Sequence, residues 1–421
     1  MARFAQSWLR IGSFDILRVR GDRDLIRKLA TYIAEDVFPG WESLPASLPD
    51  SEEEFAASVD NPERNIPSHM AEGDREENRF TRLYREIARR NAKTVAEWQA
   101  YGFMNGVLNT DNTSIYGLSL DYGPFAFMDN FDPSYTPNHD DHMLRYSYKN
   151  QPTIIWWNLV RLGESLGELI GAGNQVDDET FVTRGVTEEF AQILIRRAED
   201  IIVRTGTEFR TVFLNEYKRL MGRRLGLRSQ KESDFQLLYS ELLDTLEALE
   251  LDFNHFFRRL SELTLDDVET EEKRKAVAKV FFHNEGVGGI GNTEESARQR
   301  ISQWLDSWRL RILEDWTREQ DAERQTAMKS VNPKVRLSLF LSFCQYQLRV
   351  NMIYQFLPRG WILEEVIERV ERKGDRCILD RVMQMSLNPF NDEWGLDKEE
   401  EGRFCGDVPR FQRALLCSCS S

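Results

Sequence analysis

Two acidic residues and an amide crowd into one irregular stretch of this chain. The sequence FMNGVLNTDNTSIYGLSLDYGPFAFMDNFDP holds Asp111-Asn112 and then, nine residues after Asn112, Asp121-Tyr122-Gly123. Phosphate-transfer chemistry has a use for this spacing. One Asp lies near a reacting hydroxyl and an Asn oxygen meets Mg²⁺. A hairpin later, a second Asp holds the metal that bridges the phosphates. Hard oxygens of this kind suit Mg²⁺ or Mn²⁺, which keep waters and share their coordination with a nucleotide. The pattern is that of a kinase-like site in which Asp121-Tyr122-Gly123 takes the place of Asp-Phe-Gly, with Tyr for Phe. Asp and Asn are also ordinary turn residues, so the bare motif is weak evidence.

The elements that must position these residues are helices. Leu25, Ile26, Leu29, Tyr32 and Ile33 recur at helical spacing, and Phe80, Leu83, Tyr84, Ile87 and Ala88 start a second helix that continues or restarts through Val95 and Trp98. Between them, residues 39–78 carry Pro45, Pro49, Pro62, Pro67 and two acidic clusters, the composition of a surface insertion. Residues 102–158 are rich in Gly, Asn, Asp, Pro and aromatics, with a short hairpin expected over Ser114–Leu118. Beyond Ile155 the chain reads as helix almost throughout. Trp156, Leu159, Leu162, Leu166, Leu169 and Ile170 form one apolar face, and Phe190, Ile193, Leu194, Ile201 and Ile202 a second. Leu237, Leu238, Leu242, Leu243, Leu246 and Leu249 form a third. Further helices are expected around Trp304–Trp316, Val335–Phe356 and Trp361–Val370. The expected fold is mainly α with one small irregular, partly β segment that carries the chemistry.

Composition narrows the function classes. At 421 residues the chain is long enough for two or more subdomains. Its formal net charge of -15 argues against a general nucleic-acid binder, which needs clustered Lys and Arg, but leaves room for a single nucleotide. No stretch is long and apolar enough to span a bilayer as a helix. The N-terminal MARFAQSWLRIGSFDILRVR is Arg-rich and acid-poor, as transit peptides are; Phe4, Trp8, Leu9, Phe14, Ile16 and Leu17 are nevertheless expected to be core residues.

Several stretches resemble the selenoprotein O family of kinase-like protein adenylyltransferases. The resemblance is densest from Gly106-Val107-Leu108-Asn109-Thr110-Asp111-Asn112 through Ser114-Ile115, Asp121-Tyr122-Gly123-Pro124-Phe125 and Phe131-Asp132-Pro133. It continues over Asn138-His139, Arg145-Tyr146 and Gln151-Pro152 to Trp157-Asn158-Leu159. Weaker similarity covers Arg3–Phe14, Met221–Leu227, Trp361, Asn388-Pro389-Phe390 and the terminal Cys417-Ser418-Cys419-Ser420-Ser421. The resemblance implies a protein-kinase-like C-lobe over 1–255 with the acidic, Pro-rich insertion near 39–78. A helical C-terminal extension would follow over 256–400, then a Cys-containing tail over 401–421. The implied reaction is transfer of AMP from ATP to Ser, Thr or Tyr hydroxyls of proteins, with Asp111 as base and Asn112 and Asp121 as ligands of Mg²⁺ or Mn²⁺. Arg3 and Arg10, in R-x6-R-x-G-S-F, correspond to a pair of phosphate-contacting arginines, whose guanidinium forks match phosphate oxygens. Eukaryotic members are mitochondrial, which is the compartment implied here, with a cytoplasmic location as the alternative in the absence of a trustworthy presequence.

The chain departs from the family pattern in three places. Asn105 stands where a His usually precedes Gly-Val. All five Cys (Cys344, Cys377, Cys405, Cys417 and Cys419) lie late in the chain, so the family's bridge from the C-terminal region to a Cys near the activation segment has no partner at Thr136-Pro137. Cys419 corresponds to the selenocysteine position, as in Cys-containing members. The Gly-rich loop, Lys and Glu of a kinase N-lobe have no recognisable counterpart before Asp111, so the expectation is a chain lacking that lobe. Two other functions therefore compete: ordinary γ-phosphoryl transfer, and a non-catalytic remnant that binds partners through its helical half.

Two further motifs are read as structural. Gly286-Val287-Gly288-Gly289-Ile290-Gly291 matches G-x-G-x-x-G, but the dinucleotide fingerprint needs a preceding strand and AVAKVFFHNE is helical in character. His139-Asp140-Asp141-His142 has metal-ligating residue types, yet belongs to the activation-like segment, where a hydrogen-bonding role is expected.

Overall fold

The structure is a computed structural model that describes residues 4–46, 77–332, 358–388, 394 and 397–416. The described chain is mainly α-helical. Its helices are α1 (Gly12–Val19), α2 (Arg23–Tyr32), α3 (Arg79–Tyr101), α4 (Gln151–Ser165), α5 (Gly167–Gly171), α6 (Glu179–Arg184) and α7 (Glu188–Leu225). They continue as α8 (Glu241–Ala248), α9 (Phe253–Leu260), α10 (Glu271–Val277), α11 (Glu294–Asp315), α12 (Asp321–Lys329), α13 (Gly360–Lys373), α14 (Cys377–Leu387) and α15 (Lys398–Phe404). Two short strands, β1 (Phe103–Met104) and β2 (Ala126–Phe127), pair antiparallel with Phe103 opposite Phe127 and Met104 opposite Ala126.

The chain divides into two compact units. The first takes residues 1–98, 107–123 and 149–217; the second takes 99–106, 124–148 and 218–421.

In the first unit α3 is the central element. It holds neither Gly nor Pro, so nothing interrupts it where the sequence left a restart open. Asn78 caps it, its Oδ1 accepting from the N–H groups of Phe80 and Thr81 at 2.9 and 3.2 Å while its Nδ2 donates to Leu169 O at 2.8 Å. Phe80, Leu83, Tyr84, Ile87 and Ala88 are all buried, and each large side chain among them contributes about 1.5–3 kcal/mol by leaving water. On α4, Ile155, Leu159 and Leu162 are buried as the periodicity requires, and the Tyr84 hydroxyl donates to Leu159 O at 3.1 Å. Gly163 permits that approach, since a Cβ there would stand 2.9 Å from the Tyr84 oxygen. Arg85 joins this core as a charge-matched group, forked onto Glu208 at 2.8 and 3.1 Å and paired with Glu77 at 2.6 Å.

In the second unit aromatic rings do most of the packing. Trp304 and Trp308 of α11 and Trp316 just beyond it bury their rings and donate their indole N–H groups to Leu238 O, Leu225 O and Gly226 O at 3.0, 2.9 and 2.6 Å. Arg224 lies wholly buried, its guanidinium 3.7 Å from the Phe257 ring centre and bonded to Asn332 Oδ1 and Asn254 Oδ1 at 2.9 and 3.0 Å. A separate apolar cluster gathers Trp361, Ile362, Val366, Ile378, Val382, Met385, Trp394 and Phe404. Arg359 bridges two buried carboxylates, Asp129 at 3.1 Å and Asp252 at 2.6 and 3.0 Å. The N–H of Ala414 donates to the other oxygen of Asp129 at 3.1 Å.

Several sequence expectations need correction. Of the six N-terminal apolar residues expected in the core, Phe14 alone is buried; Phe4, Trp8 and Ile16 are exposed, and Leu9 and Leu17 half-buried. The helix α1 begins only at Gly12 and buries one narrow face, so Phe4 and Trp8 before it and Ile16 on its other side stay at the surface, while Ile11 is buried beside Phe14. Ile193 and Leu237 also face outward, although their helical faces are otherwise buried. No hairpin ladder forms over Ser114–Leu118. A single bridge joins Thr113 to Ser119, because the backbone of Ser114 and its neighbours already pairs with Leu9–Ile11. The Gly286–Gly291 run follows a 3-10 turn (Ala278–Phe281) and leads to α11, so no strand precedes it. The helix expected over Val335–Phe356 lies outside the described residues, as does most of the 39–78 insertion.

Candidate functional site

Asp111 and Asn112 sit on a single 3-10 turn (Thr110–Asn112) in the first unit. The turn is set by its own polar side chains. Asn109 caps it, Oδ1 accepting from Asn112 N–H at 3.0 Å, and the Thr113 hydroxyl donates back to Asn109 O at 2.9 Å. Three neighbouring elements then fix the turn in place. From α3, Asn91 Nδ2 donates to Ser114 O at 2.9 Å and the Thr94 hydroxyl to Gly117 O at 2.6 Å. From the chain before α1, Ile11 N–H donates to Thr113 O, and Leu9 O accepts from Ile115 N–H, both at 3.0 Å. From α4, Asn158 Nδ2 donates to Leu108 O at 3.1 Å and to the Thr113 hydroxyl oxygen at 2.8 Å.

The side chains of interest emerge from this frame toward solvent. Asp111 is exposed and rests against Gly12, the first residue of α1. A Cβ at Gly12 would overlap the Asp111 Oδ1 and stand 3.0 Å from its Cγ. Asn112 Nδ2 donates to Val107 O at 2.8 Å and reaches Asp121 Oδ2 at 3.4 Å. The bond to Val107 fixes the amide orientation and assigns Oδ1 as its hard-oxygen donor. Asp121 is exposed and closes an Asx turn, its Oδ1 accepting from Gly123 N–H at 3.0 Å. Tyr122 between them is 39% exposed. Asn112 and Asp121, nine residues apart in sequence, thus become side-chain neighbours. Asn112 presents its Nδ2 to Asp121, and its Oδ1 remains as the hard donor of the same side chain; an amide oxygen and a carboxylate are donor types that suit Mg²⁺ or Mn²⁺.

Arg10 lies one residue before Ile11, bridged through its backbone to Ser114, and its exposed side chain makes no ion pair among the described residues. Arg3 lies outside the described residues, as do Cys344, Cys417 and Cys419; Cys377 is exposed and Cys405 buried. His139 is exposed and meets the neighbouring Asp140 at 3.3 Å and, edge to face, the His142 ring at 6.2 Å between centres. The buried member of that segment is Asn138, which donates to Gly106 O at 3.1 Å. Motif reasoning gave no role to Gly12, Asn109 or Asn158. Asn109 carries a local signal, since an Asn three residues before Asn112 is a capping pattern. Gly12 and Asn158 act across the fold and leave no such signal.

Comparison with known proteins bears on the chain as a whole. The family model described as "Protein adenylyltransferase SelO" matches residues 1–387. The chain is 35% identical to "Protein adenylyltransferase SelO, mitochondrial" of Schizosaccharomyces pombe, over 100% of this chain and 64% of that protein. It is 30% identical to the protein of the same name in Saccharomyces cerevisiae, over 93% of this chain and 63% of the relative. It is 28% identical to "Protein nucleotidyltransferase YdiU" of Ralstonia nicotianae, over 100% of this chain and 64% of the relative. The chain thus spans about 64% of the length of such curated relatives. A family match over most of the chain, with the Asp111–Asp121 segment inside it, leads to one conclusion: the chain belongs to the SelO family.

Proposed function

We propose that this chain contributes the metal- and nucleotide-handling residues of a protein adenylyltransferase, which moves AMP from ATP to a Ser, Thr or Tyr hydroxyl of a protein. The observation that carries the reading is the side-by-side placement of Asn112 and Asp121 next to an exposed Asp111, within a chain of this family. Asp111 would accept the proton of the attacking hydroxyl. The hydroxyl oxygen of the substrate forms a bond to the α-phosphorus as the bond from that phosphorus to the bridging oxygen of the β-phosphate breaks, and pyrophosphate leaves. Asn112 Oδ1 and the Asp121 carboxylate would hold Mg²⁺ or Mn²⁺, which when bound supplies positive charge to the phosphates. Arg10, and Arg3 by its place in the same motif, would contact phosphate oxygens.

The same reading takes 1–255 as a kinase-like C-lobe, 256–400 as its helical extension and 401–421 as a Cys-bearing tail. It takes a mitochondrial location from the names of the two yeast relatives. Its partners are ATP and hydroxyl-bearing proteins. Incubation with ATP labelled at either phosphate tests it. Transfer of α-label to protein, lost in Asp121→Ala, is the expected result. Transfer of γ-label alone would assign ordinary kinase chemistry instead, and no metal-dependent ATP binding would assign a non-catalytic binding role.

A further inference from the structure

The amide of Asn158 is wholly buried on α4, and its chemistry is used in one direction only. Its Nδ2 donates to Leu108 O at 3.1 Å and to Thr113 Oγ1 at 2.8 Å, and its Oδ1 is buried with no hydrogen-bond partner among the described residues. The orientation is unambiguous, because a flipped amide would set oxygen against the Leu108 carbonyl. An orphaned buried carbonyl is costly, and an apolar side chain of the same size would pack at that point without the penalty. The residue is therefore there for its N–H groups.

The two acceptors have a specific relation. Leu108 precedes and Thr113 follows the Asn109–Asn112 turn, so one side chain ties the entry of the turn to its exit. Thr113 passes the tie inward through its own hydroxyl to Asn109 O at 2.9 Å, and Asn109 caps Asn112 at 3.0 Å. The chain of bonds Asn158–Thr113–Asn109–Asn112 ends on the residue whose amide lies 3.4 Å from Asp121.

We infer that Asn158 is a positioning residue for metal binding: from the core side it clamps the turn that sets Asn112 beside Asp121. The inference rests on reading Asn112 and Asp121 as metal ligands. It goes beyond that reading in assigning their spacing to a residue that touches neither metal nor nucleotide. Outer-shell partners of this kind typically alter metal affinity by about 10–100-fold when removed.

The test uses the full chain and two readouts. Amide hydrogen exchange of the ligand-free protein reads the clamp directly, and Mn²⁺ titration in the presence of ATP, followed by Mn²⁺ EPR, reads the ligands. In Asn158→Ala, exchange should speed up in the peptide covering 107–115 with the rest of the first unit protected. The Mn²⁺ half-saturation should rise about 10-fold or more. Asn158→Asp keeps the shape but removes the N–H groups and should behave alike. Thr113→Val should reproduce the shift in half-saturation, and Thr113→Ser, which keeps the oxygen, should restore it. Unchanged exchange at 107–115, or faster exchange throughout the first unit, would overturn the clamp. So would fewer binding sites at an unchanged half-saturation, the mark of partial unfolding. A wild-type chain that binds no Mn²⁺ with ATP would instead overturn the functional reading, while the exchange result would still decide whether the clamp exists.

Discussion

The candidate site of the first unit and the Arg359 cluster of the second handle carboxylates in opposite ways. In the first, Asp111 and Asp121 are exposed, Asp111 beside Gly12 and Asp121 beside the Asn112 amide and the Gly123 N–H. In the second, Asp129 and Asp252 are buried and share Arg359, whose guanidinium lies within 3.1 Å of both. Burying an ion costs several kcal/mol, so a buried carboxylate must be matched within the fold. The carboxylates of the second unit are thus committed to holding the fold together. Those of the first keep their oxygens in reach of solvent, where a divalent cation and phosphates can approach. The difference teaches that exposure, rather than acidity or clustering, separates a candidate ligand from a structural ion pair.

This contrast can be broken or sharpened by substitution. The largest effect is expected for Asp121→Ala, which should cut α-label transfer by about 10³-fold while leaving the urea midpoint nearly unmoved, since an exposed position contributes within about 0.5 kcal/mol. A large loss of stability would place Asp121 with the structural carboxylates. The reverse pattern belongs to Arg359→Met. It strands Asp129 and Asp252 without their cation and should destabilise the protein by about 3–5 kcal/mol by chemical denaturation. A stability change below about 1 kcal/mol would show that the buried cluster is not what holds the second unit.

A smaller, selective effect is expected from Gly12→Ala. The new methyl meets the Asp111 carboxylate, which can swing into solvent at little cost to the fold. Activity should fall by about 10–100-fold, because misplacing a reacting group by an ångström costs on that scale. The melting temperature should stay near that of the wild type. Equal losses in activity and stability would mean that the Gly12 contact serves packing.

The smallest effect concerns pH. Burial pushes the Asp129 carboxyl up to about 6 against its ordinary 3.8, despite Arg359 beside it, with Asp252 adding to the rise and the Ala414 N–H opposing it. Between about pH 4 and 6 the folded protein therefore keeps a proton that the unfolded chain has released. Stability falls as pH rises through that window. Asp129→Asn should flatten that slope in denaturation midpoints measured from pH 4 to 6.5. An unchanged slope would place its origin in another group.

How much of this was legible beforehand depends on the range of the interactions. The long helices were visible because their periodicity is local: α3, α4 and α11 follow from the spacing of Phe80–Ile87, Ile155–Leu162 and the Trp304 region. The 3-10 turn that presents Asp111 and Asn112 was legible as turn chemistry for the same reason. The N-terminal apolar residues misled, since hydrophobicity without a helix to orient it does not say which side faces the core. Phe4 and Trp8 precede α1 and remain exposed. The Ser114–Leu118 hairpin misled because a strand signal does not name its partner, and Leu9–Ile11 had taken those bonds.

By itself, then, the sequence determined the mainly helical character, the candidate trio of two carboxylates and an amide and, through its motifs, the family. These follow from residue types and spacings within a few turns of chain. Only the tertiary structure decided that Asn112 meets Asp121, that Gly12 seats Asp111 and that Asn158 ties the ends of the Asn109–Asn112 turn. Each of these joins residues from nine to about a hundred positions apart, and only packed helices hold such groups within hydrogen-bond distance.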